Sequence, residues 1–240
     1  MAKVKPRQTG VSGKDIVNIY TFEEEDFIRQ SIRIKQLFRD YHCNIAVVDG
    51  NGLGIGLIDL LMEDQTDPDT GEDLPSLGIY NYDDITDEKT VRNYKAREAE
   101  ADNLVKNAMF IMKATTPLNS QMYSYCQTQL MNGKLNFLLD SNVAKNKLLS
   151  QEQGKKMNAA QRAEKLRPFV ETDILKAQLA NLVQDNENGA NVILKQSSRK
   201  ILKDKVSALI YVLHWCDLEE QRRARRKGRN IADFMFFTKH

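Results

Sequence analysis

The chain has 240 residues, a formal net charge of +2, 41% hydrophobic and 28% charged residues, the balance of a soluble globular protein large enough to bury a core without staples. No apolar run reaches the length of a membrane span, and the opening "MAKVKPRQTG" is basic and polar with no apolar stretch behind it, so neither a membrane protein nor a signal peptide is expected. Three widely spaced cysteines, Cys43, Cys126 and Cys216, argue for a reducing compartment and against a disulfide framework or a zinc site. His42 and His214 lack paired metal-ligand spacing and are expected in the core or on a helix face.

In chain order, "KDIVNIYTF" (14–22) is β-branched and aromatic and predicts a strand. "EEEDFIRQSIRIKQLFRDY" predicts an amphipathic helix, with Glu23 to Asp26 favouring its N-terminus and Phe27, Ile34, Phe38 and Tyr41 on one face. "IAVVD" (45–49) lacks alternation and predicts a strand buried on both faces. "GLIDLLMED" is the next helix, "MFIMKA" (109–114) a buried strand, and Asn119 to Met131 a helix. "GKLNFLL" predicts a strand, residues 150–165 an insertion or exposed helix, 171–186 a helix, 190–196 a strand and 203–223 a long final helix. Strands alternate with helices, so the expected class is α/β with a largely parallel sheet.

Charge is unevenly spread. Residues 63–73, "EDQTDPDTGED", are acidic, but Gly78 stands where a calcium loop needs glutamate, so a surface loop is expected. Residues 222–229, "RRARRKGR", are basic, either a solvated helix end or a DNA-phosphate patch carried by Arg222, Arg223, Arg225 and Arg226. The apolar "IADFMFFTKH" after them either folds back or docks on another subunit.

The stretch "NIAVVDGNGLGIGLIDLL" raises the question of what an acid does between a strand and a glycine-rich turn. G-x-G-x-x-G does not close from Gly50 or from Gly52, and G-x-x-x-x-G-K-[ST] is absent, which disfavours both nucleotide readings. Two readings of Asp49 remain: a cap on the following helix, or a ligand to a divalent cation at the carboxyl end of a strand, where open α/β sheets collect their chemistry. The second acid is Asp204 in "RKILKDKVSALIYVL", at the start of the last helix and flanked by Lys203 and Lys205. It too reads either as a helix cap or as a metal ligand placed where metal and phosphate meet.

These segments, in this order, resemble the C-terminal nuclease domain of tailed-phage terminase large subunits, the motor that cuts and packages viral DNA. The resemblance is carried by "NIYTFEEEDFIRQSIRIKQLFRDYHCNIAVVDGNGLGIGLIDLL", "MKATTPLNSQMYSYCQTQLMNGKLNFLL", "RPFVETDILKAQLANL" and "RKILKDKVSALIYVLHW", and spans nearly the whole chain. It implies one ribonuclease H-like domain over 1–240, with 222–240 as a basic and apolar tail, and a mixed sheet flanked by helices that lacks the family's first strands. It implies two Mg²⁺ or Mn²⁺ ions hydrolysing double-stranded DNA, with Asp49 and Asp204 as metal-binding catalytic acids and Lys203 and Lys205 on DNA phosphates. Asn51 and Asn119 are candidates for orienting water or backbone, or for a turn and a helix cap. The family's first acid has no match; Asp15 is the nearest and a poor substitute. The upstream ATPase domain is likewise unmatched, which suggests a split gene or an N-terminally truncated reading frame. Expected partners are the ATPase part or a split-gene partner, the portal and the small terminase subunit, with no membrane, in the cytoplasm of the infected bacterial host.

The alternative is a non-catalytic DNA-binding or motor-assembly fragment. For the missing first strand, "KDIVNIYTF" is expected to close up beside "IAVVD", or a second polypeptide to add a strand there.

Overall fold

In the computed structural model the described residues are 2–5, 13–22, 26–52, 54–185, 193–198 and 200–235, with backbone alone at 2–5, 185, 193–194 and 226–235. The class is α/β, but in place of one largely parallel sheet the described residues form a parallel sheet, a mixed one and two antiparallel pairs, flanked by helices. The chain divides into two compact units, one formed by 22–115 and the other by 1–21 with 116–240.

The elements run β1 (Ala2–Lys5), β2 (Gly13–Ile16), α1 (Phe27–Asp40), β3 (Ala46–Asp49), α2 (Gly54–Leu61), β4 (Gln65–Thr66), β5 (Asp73–Leu74) and β6 (Ser76–Ile79). They continue through α3 (Glu88–Glu100), β7 (Leu104–Met112), α4 (Thr116–Met131), β8 (Leu135–Asn136), α5 (Ser141–Ser150) and α6 (Glu152–Lys156). The last four are α7 (Ala159–Ala180), β9 (Leu182–Asp185), β10 (Ile193–Gln196) and α8 (Asp204–Met235).

The unit of 22–115 is built on a parallel sheet in the order β3-β7-β6. β7 is its central strand, and Ala108 to Met112 are buried because both neighbours and the flanking helices cover them. Ile58, Leu61 and Met62 of and after α2, Leu77 and Ile79 of β6, Met109 and Ile111 of β7 and Tyr94 of α3 form one core, against which Ile34 and Phe38 of α1 pack. Of the apolar stripe expected on α1, Ile34 and Phe38 face the core, whereas Phe27 and Tyr41 are exposed and Tyr41 lies past the helix end; the helix starts at Phe27 with Asp26 as cap, accepting the Arg29 amide at 2.8 Å. Glu23 to Glu25 lie outside the described residues.

The expectation for "IAVVD" needs correcting. Among the described residues β3 hydrogen-bonds to β7 alone, and Ala46, Val47 and Val48 are half-buried. Its unbroken apolar character is that of a parallel strand, yet β7 takes the central place. The closing-up of 14–22 is corrected too: β2 pairs antiparallel with β1 and parallel with β8. The acidic loop is a hairpin: β4 and β5 pair around a turn in which buried Asp67 accepts bonds from the Thr70 hydroxyl at 2.6 Å, the Asp69 amide at 3.0 Å and Gln36 at 2.9 Å. Those bonds, led by Thr70, hold its carboxyl below the usual range.

In the other unit α4 and α7 pack on α8, whose Val206, Ile210, Leu213 and Cys216 are buried at helical spacing. The helix expected over 171–186 ends at Ala180, because Asn181 is tied to the strand that returns beside it. Its side-chain oxygen accepts the Ser198 amide at 2.9 Å, its carbonyl accepts the Ser197 amide at 2.8 Å, and residues 182–185 pair with β10. The strand expected over 133–139 shrinks to β8, and residues 150–165 fold as α6 and the first turns of α7. No helix among the described residues is long and apolar enough to cross a membrane.

Lys35 of α1 is 2% exposed and donates to the Glu63 carbonyl. Burial lowers its pKa to about 8, against the opposing pull of Asp64 and Glu63. Below that value folded and unfolded chains both carry the proton, and the cost of the buried charge is borne in full. Between about 8 and 10.5 the unfolded chain holds a proton that the folded chain has lost, so stability rises with pH. Burial raises the thiols of Cys126 and Cys216 from 9.0 to about 11, which lowers stability above pH 9. Denaturation of wild type and Lys35→Met as a function of pH separates the two: the variant is more stable at pH 7 by up to about 3 kcal/mol, and the gap closes by pH 10.5. A constant gap would show that the ammonium is not desolvated.

Candidate functional site

Asp49 stands at the carboxyl end of β3, beside the buried end of β7, with Asp49 opposite Met112. The turn that follows explains two of the glycines. Gly50 donates to the Met112 carbonyl at 2.8 Å, and a Cβ there would strike Ile111. A Cβ on Gly54 would overlap the Asp49 carbonyl oxygen. The glycines thus bring the backbone of the turn against the strand ends.

One carboxylate oxygen of Asp49 accepts the Asn51 amide at 2.9 Å, an Asx turn rather than a bond to an amide within α2. The residue is exposed, and its other oxygen has no hydrogen bond among the described residues. Asn51 shapes the turn through its backbone, and Asn119 lies within α4 rather than at its start, so it is not the cap of that helix.

Asp204 opens α8 in the other unit. Its expected structural duty, capping that helix, is discharged by another residue. Gln178 of α7 accepts the amides of Lys205 at 3.0 Å and Val206 at 3.4 Å through one side-chain oxygen. The Asp204 carboxylate is exposed and makes no hydrogen bond among the described residues. Its place in the first turn still suits the helix dipole.

The flanking lysines differ. Lys203 is exposed, and its ammonium has no partner among the described residues. Lys205 is committed: it pairs with Glu171 at 2.9 Å and donates to the Thr21 hydroxyl at 2.6 Å, while Thr21 donates to Glu171 at 2.9 Å. Asp15, in β2, accepts from Asn136 at 2.7 Å.

The basic run is not a helix end but continues within α8. Arg222 pairs with Glu219 at 2.9 Å and lies 5.7 Å from the Trp215 ring, whereas Arg223 and Arg225 are exposed. The side chain of Arg226 and residues 236–240 lie outside what is described.

One residue the sequence reading passed over is Lys14. Its ammonium, fully buried, meets Glu220 at 2.8 Å and Gln129 at 3.3 Å, 5.7 Å from the Tyr125 ring. The signal was present on α8, where Glu220 continues the buried row of Val206, Ile210, Leu213 and Cys216 at helical spacing. An acid at the end of an apolar stripe calls for a buried cation.

Hard carboxylate oxygens such as those of Asp49 and Asp204 suit Mg²⁺ or Mn²⁺. Among the described residues, however, no group of three or more histidine, cysteine or acidic side chains stands together as a metal site. Comparison with protein-family models, with curated proteins and with solved structures finds no match to this chain.

Proposed function

We propose that this chain is the ribonuclease H-like nuclease part of a phage DNA-packaging terminase large subunit. It hydrolyses double-stranded DNA once its set of carboxylates is completed by a strand outside residues 1–240. The observation that carries the reading is that Asp49 and Asp204 both keep carboxylate oxygens without a structural task. Asp49 forms a short turn and leaves one oxygen unbonded, and Gln178 has taken over the helix-capping duty that would explain Asp204. The strand, glycine turn and helix around Asp49, with a parallel neighbour in β7, also suit the family's architecture.

The family's first acid, unmatched in this sequence, favours a second reading, a DNA-binding or assembly piece inactive alone. The second edge of β3 makes no backbone hydrogen bond among the described residues and carries no proline or charged residue before Asp49. Such an edge is a template for an added strand. A strand seated there would bring its own carboxylate to the level of Asp49.

The test is plasmid nicking with Mg²⁺ or Mn²⁺, using the chain alone and mixed with the polypeptide encoded upstream. The mixture is expected to nick and the chain alone to do so weakly or not at all. Equal rates would show that no acid is missing; no cleavage in either would leave the DNA-binding reading.

DNA binding is expected to weaken steeply with salt. Neutralising Arg222, Arg223, Arg225 and Arg226 together should flatten the log–log slope by about 0.9 for each phosphate these side chains neutralise in the wild type. An unchanged slope would return this stretch of α8 to the status of a solvated face.

A further inference from the structure

Lys205, the cation next to Asp204 in sequence, is neutralised by Glu171, and both side chains are largely buried, 14% and 13% exposed. Of the two lysines flanking Asp204 this leaves only Lys203 for phosphate, so a second phosphate contact near this acid has to come from elsewhere in the fold. Lys165 of α7 is exposed and has no ion pair or hydrogen bond among the described residues. It lines a cavity of about 210 Å³ together with Asn18, Ile19, Tyr20, Glu164, Arg167 and Pro168. Arg167 meets its neighbour Glu164 only at 3.9 Å, an exposed pair one turn apart on the helix. Such pairs contribute little, so the guanidinium is cheaply released to a ligand.

The walls of the cavity have reasons to hold their shape. Asn18 is 7% exposed; its oxygen accepts the Ile19 amide at 2.8 Å and its nitrogen donates to the Tyr20 hydroxyl at 2.9 Å. On the other wall, Pro168 inside α7 has no N–H and breaks the helical ladder at Glu164. Both walls run straight into the network around Lys205. Tyr20 precedes Thr21, and Glu171 follows Arg167 by four residues, about 6 Å along the helix. The cavity thus lies about one helical turn from the cluster that anchors the residue after Asp204.

We infer that this cavity holds a phosphate of the DNA backbone, with Arg167 gripping it through its fork and Lys165 as a point charge, next to the phosphodiester presented to Asp204. This rests on the nuclease reading for its placement. The lining carries the guanidinium of Arg167 and the ammonium of Lys165 against the single carboxylate of Glu164, a net positive cleft that suits a phosphodiester oxygen pair. The contact positions the strand without reading its sequence.

The test uses the full chain in EDTA with a labelled duplex across a salt series. Lys165→Ala with Arg167→Ala changes only exposed helix positions and keeps good helix formers. The double variant should bind more weakly at every sequence and flatten the log–log salt slope by about 0.9, the value for the one phosphate the cavity holds. Lys145→Ala with Lys147→Ala, two exposed lysines of α5, should leave the slope unchanged. Equal effects of the two double variants would overturn the subsite, since net charge alone would then account for binding. A titration with inorganic phosphate and with a nucleoside monophosphate, followed through the amide signals of Tyr20 and Arg167, separates the source of the anion. If these shift the signals while the Lys165 and Arg167 variant binds duplex normally, the DNA assignment fails. The nuclease reading is judged separately by nicking with the upstream polypeptide. A chain that never cuts, yet loses slope in the variant, keeps the subsite and loses the nuclease. One that cuts, with binding unaltered in the variant, keeps the nuclease and loses the subsite.

Discussion

Replacing Asp49 by Asn in a mixture that nicks DNA should lower the nicking rate at least about 10²-fold, the loss that follows removal of one preorganised electrostatic group from a site of charge development. Asp204→Asn should do the same. Neither change should disturb the fold, because neither carboxylate bears a structural load beyond the Asn51 amide accepted by Asp49, a bond the Asn side-chain oxygen can still accept. Duplex affinity without divalent cation should hold or rise slightly, since a negative charge facing phosphate has been removed. The informative measurement is Mn²⁺ binding by each single variant and by the double. If the two acids serve one centre, either single change removes most of the affinity and the double adds little more, the non-additivity of groups that act as a unit. Independent losses that sum would place the acids in separate sites and overturn their joint assignment, whatever the nicking rate.

Glu220→Ala should be the most damaging single change to stability outside the apolar core. Lys14 is fully buried, and its ammonium is held by Glu220 at 2.8 Å, with Gln129 at 3.3 Å. Removing the carboxylate breaks this buried ion pair from one side, which costs about 3–5 kcal/mol. For a chain of this size that corresponds to a fall in Tm of roughly 10 °C. Tyr125, whose hydroxyl donates to the other oxygen of Glu220 at 3.4 Å, loses a partner as well. The discriminating variant is Lys14→Met with Glu220→Leu. An apolar pair of similar volume should recover most of the loss, because the desolvation of both charges disappears with them. If Glu220→Ala costs less than about 1 kcal/mol, the value of a solvent-exposed pair, the ammonium is hydrated in solution and the pair is not a buried one.

This pair also shows where sequence information ends. The apolar row of α8 and the acid closing it are legible from a spacing of three and four residues, and so is the demand for a cation. Lys14 as the answer is not legible, because 206 residues separate it from Glu220. The amphipathic α1, the apolar run of β3, the glycine turn and α4 were readable for the same local reason: 3.6-residue periodicity, β-branched runs and missing Cβ atoms act within a few residues. What local pattern does not carry is which neighbour a segment meets. An apolar run predicts a strand in a parallel sheet, but only the pairing of β3 with β7 decides that β3 is the edge and β7 the centre. The periodicity of 171–186 continues past Ala180; the strand pairing of 182–185 with β10 wins there because ladder bonds and the Asn181 bonds outweigh a weak helix preference. At the candidate site the division is the same. The acids Asp49 and Asp204 stand out in the sequence through the glycines and lysines beside them. Whether each acid is free for chemistry depends on distant groups. Gln178 relieves Asp204 of capping, and Glu171 withdraws Lys205 from phosphate. A side chain's chemical type is written locally, whereas its availability is set by the competing partners that folding brings within hydrogen-bond reach.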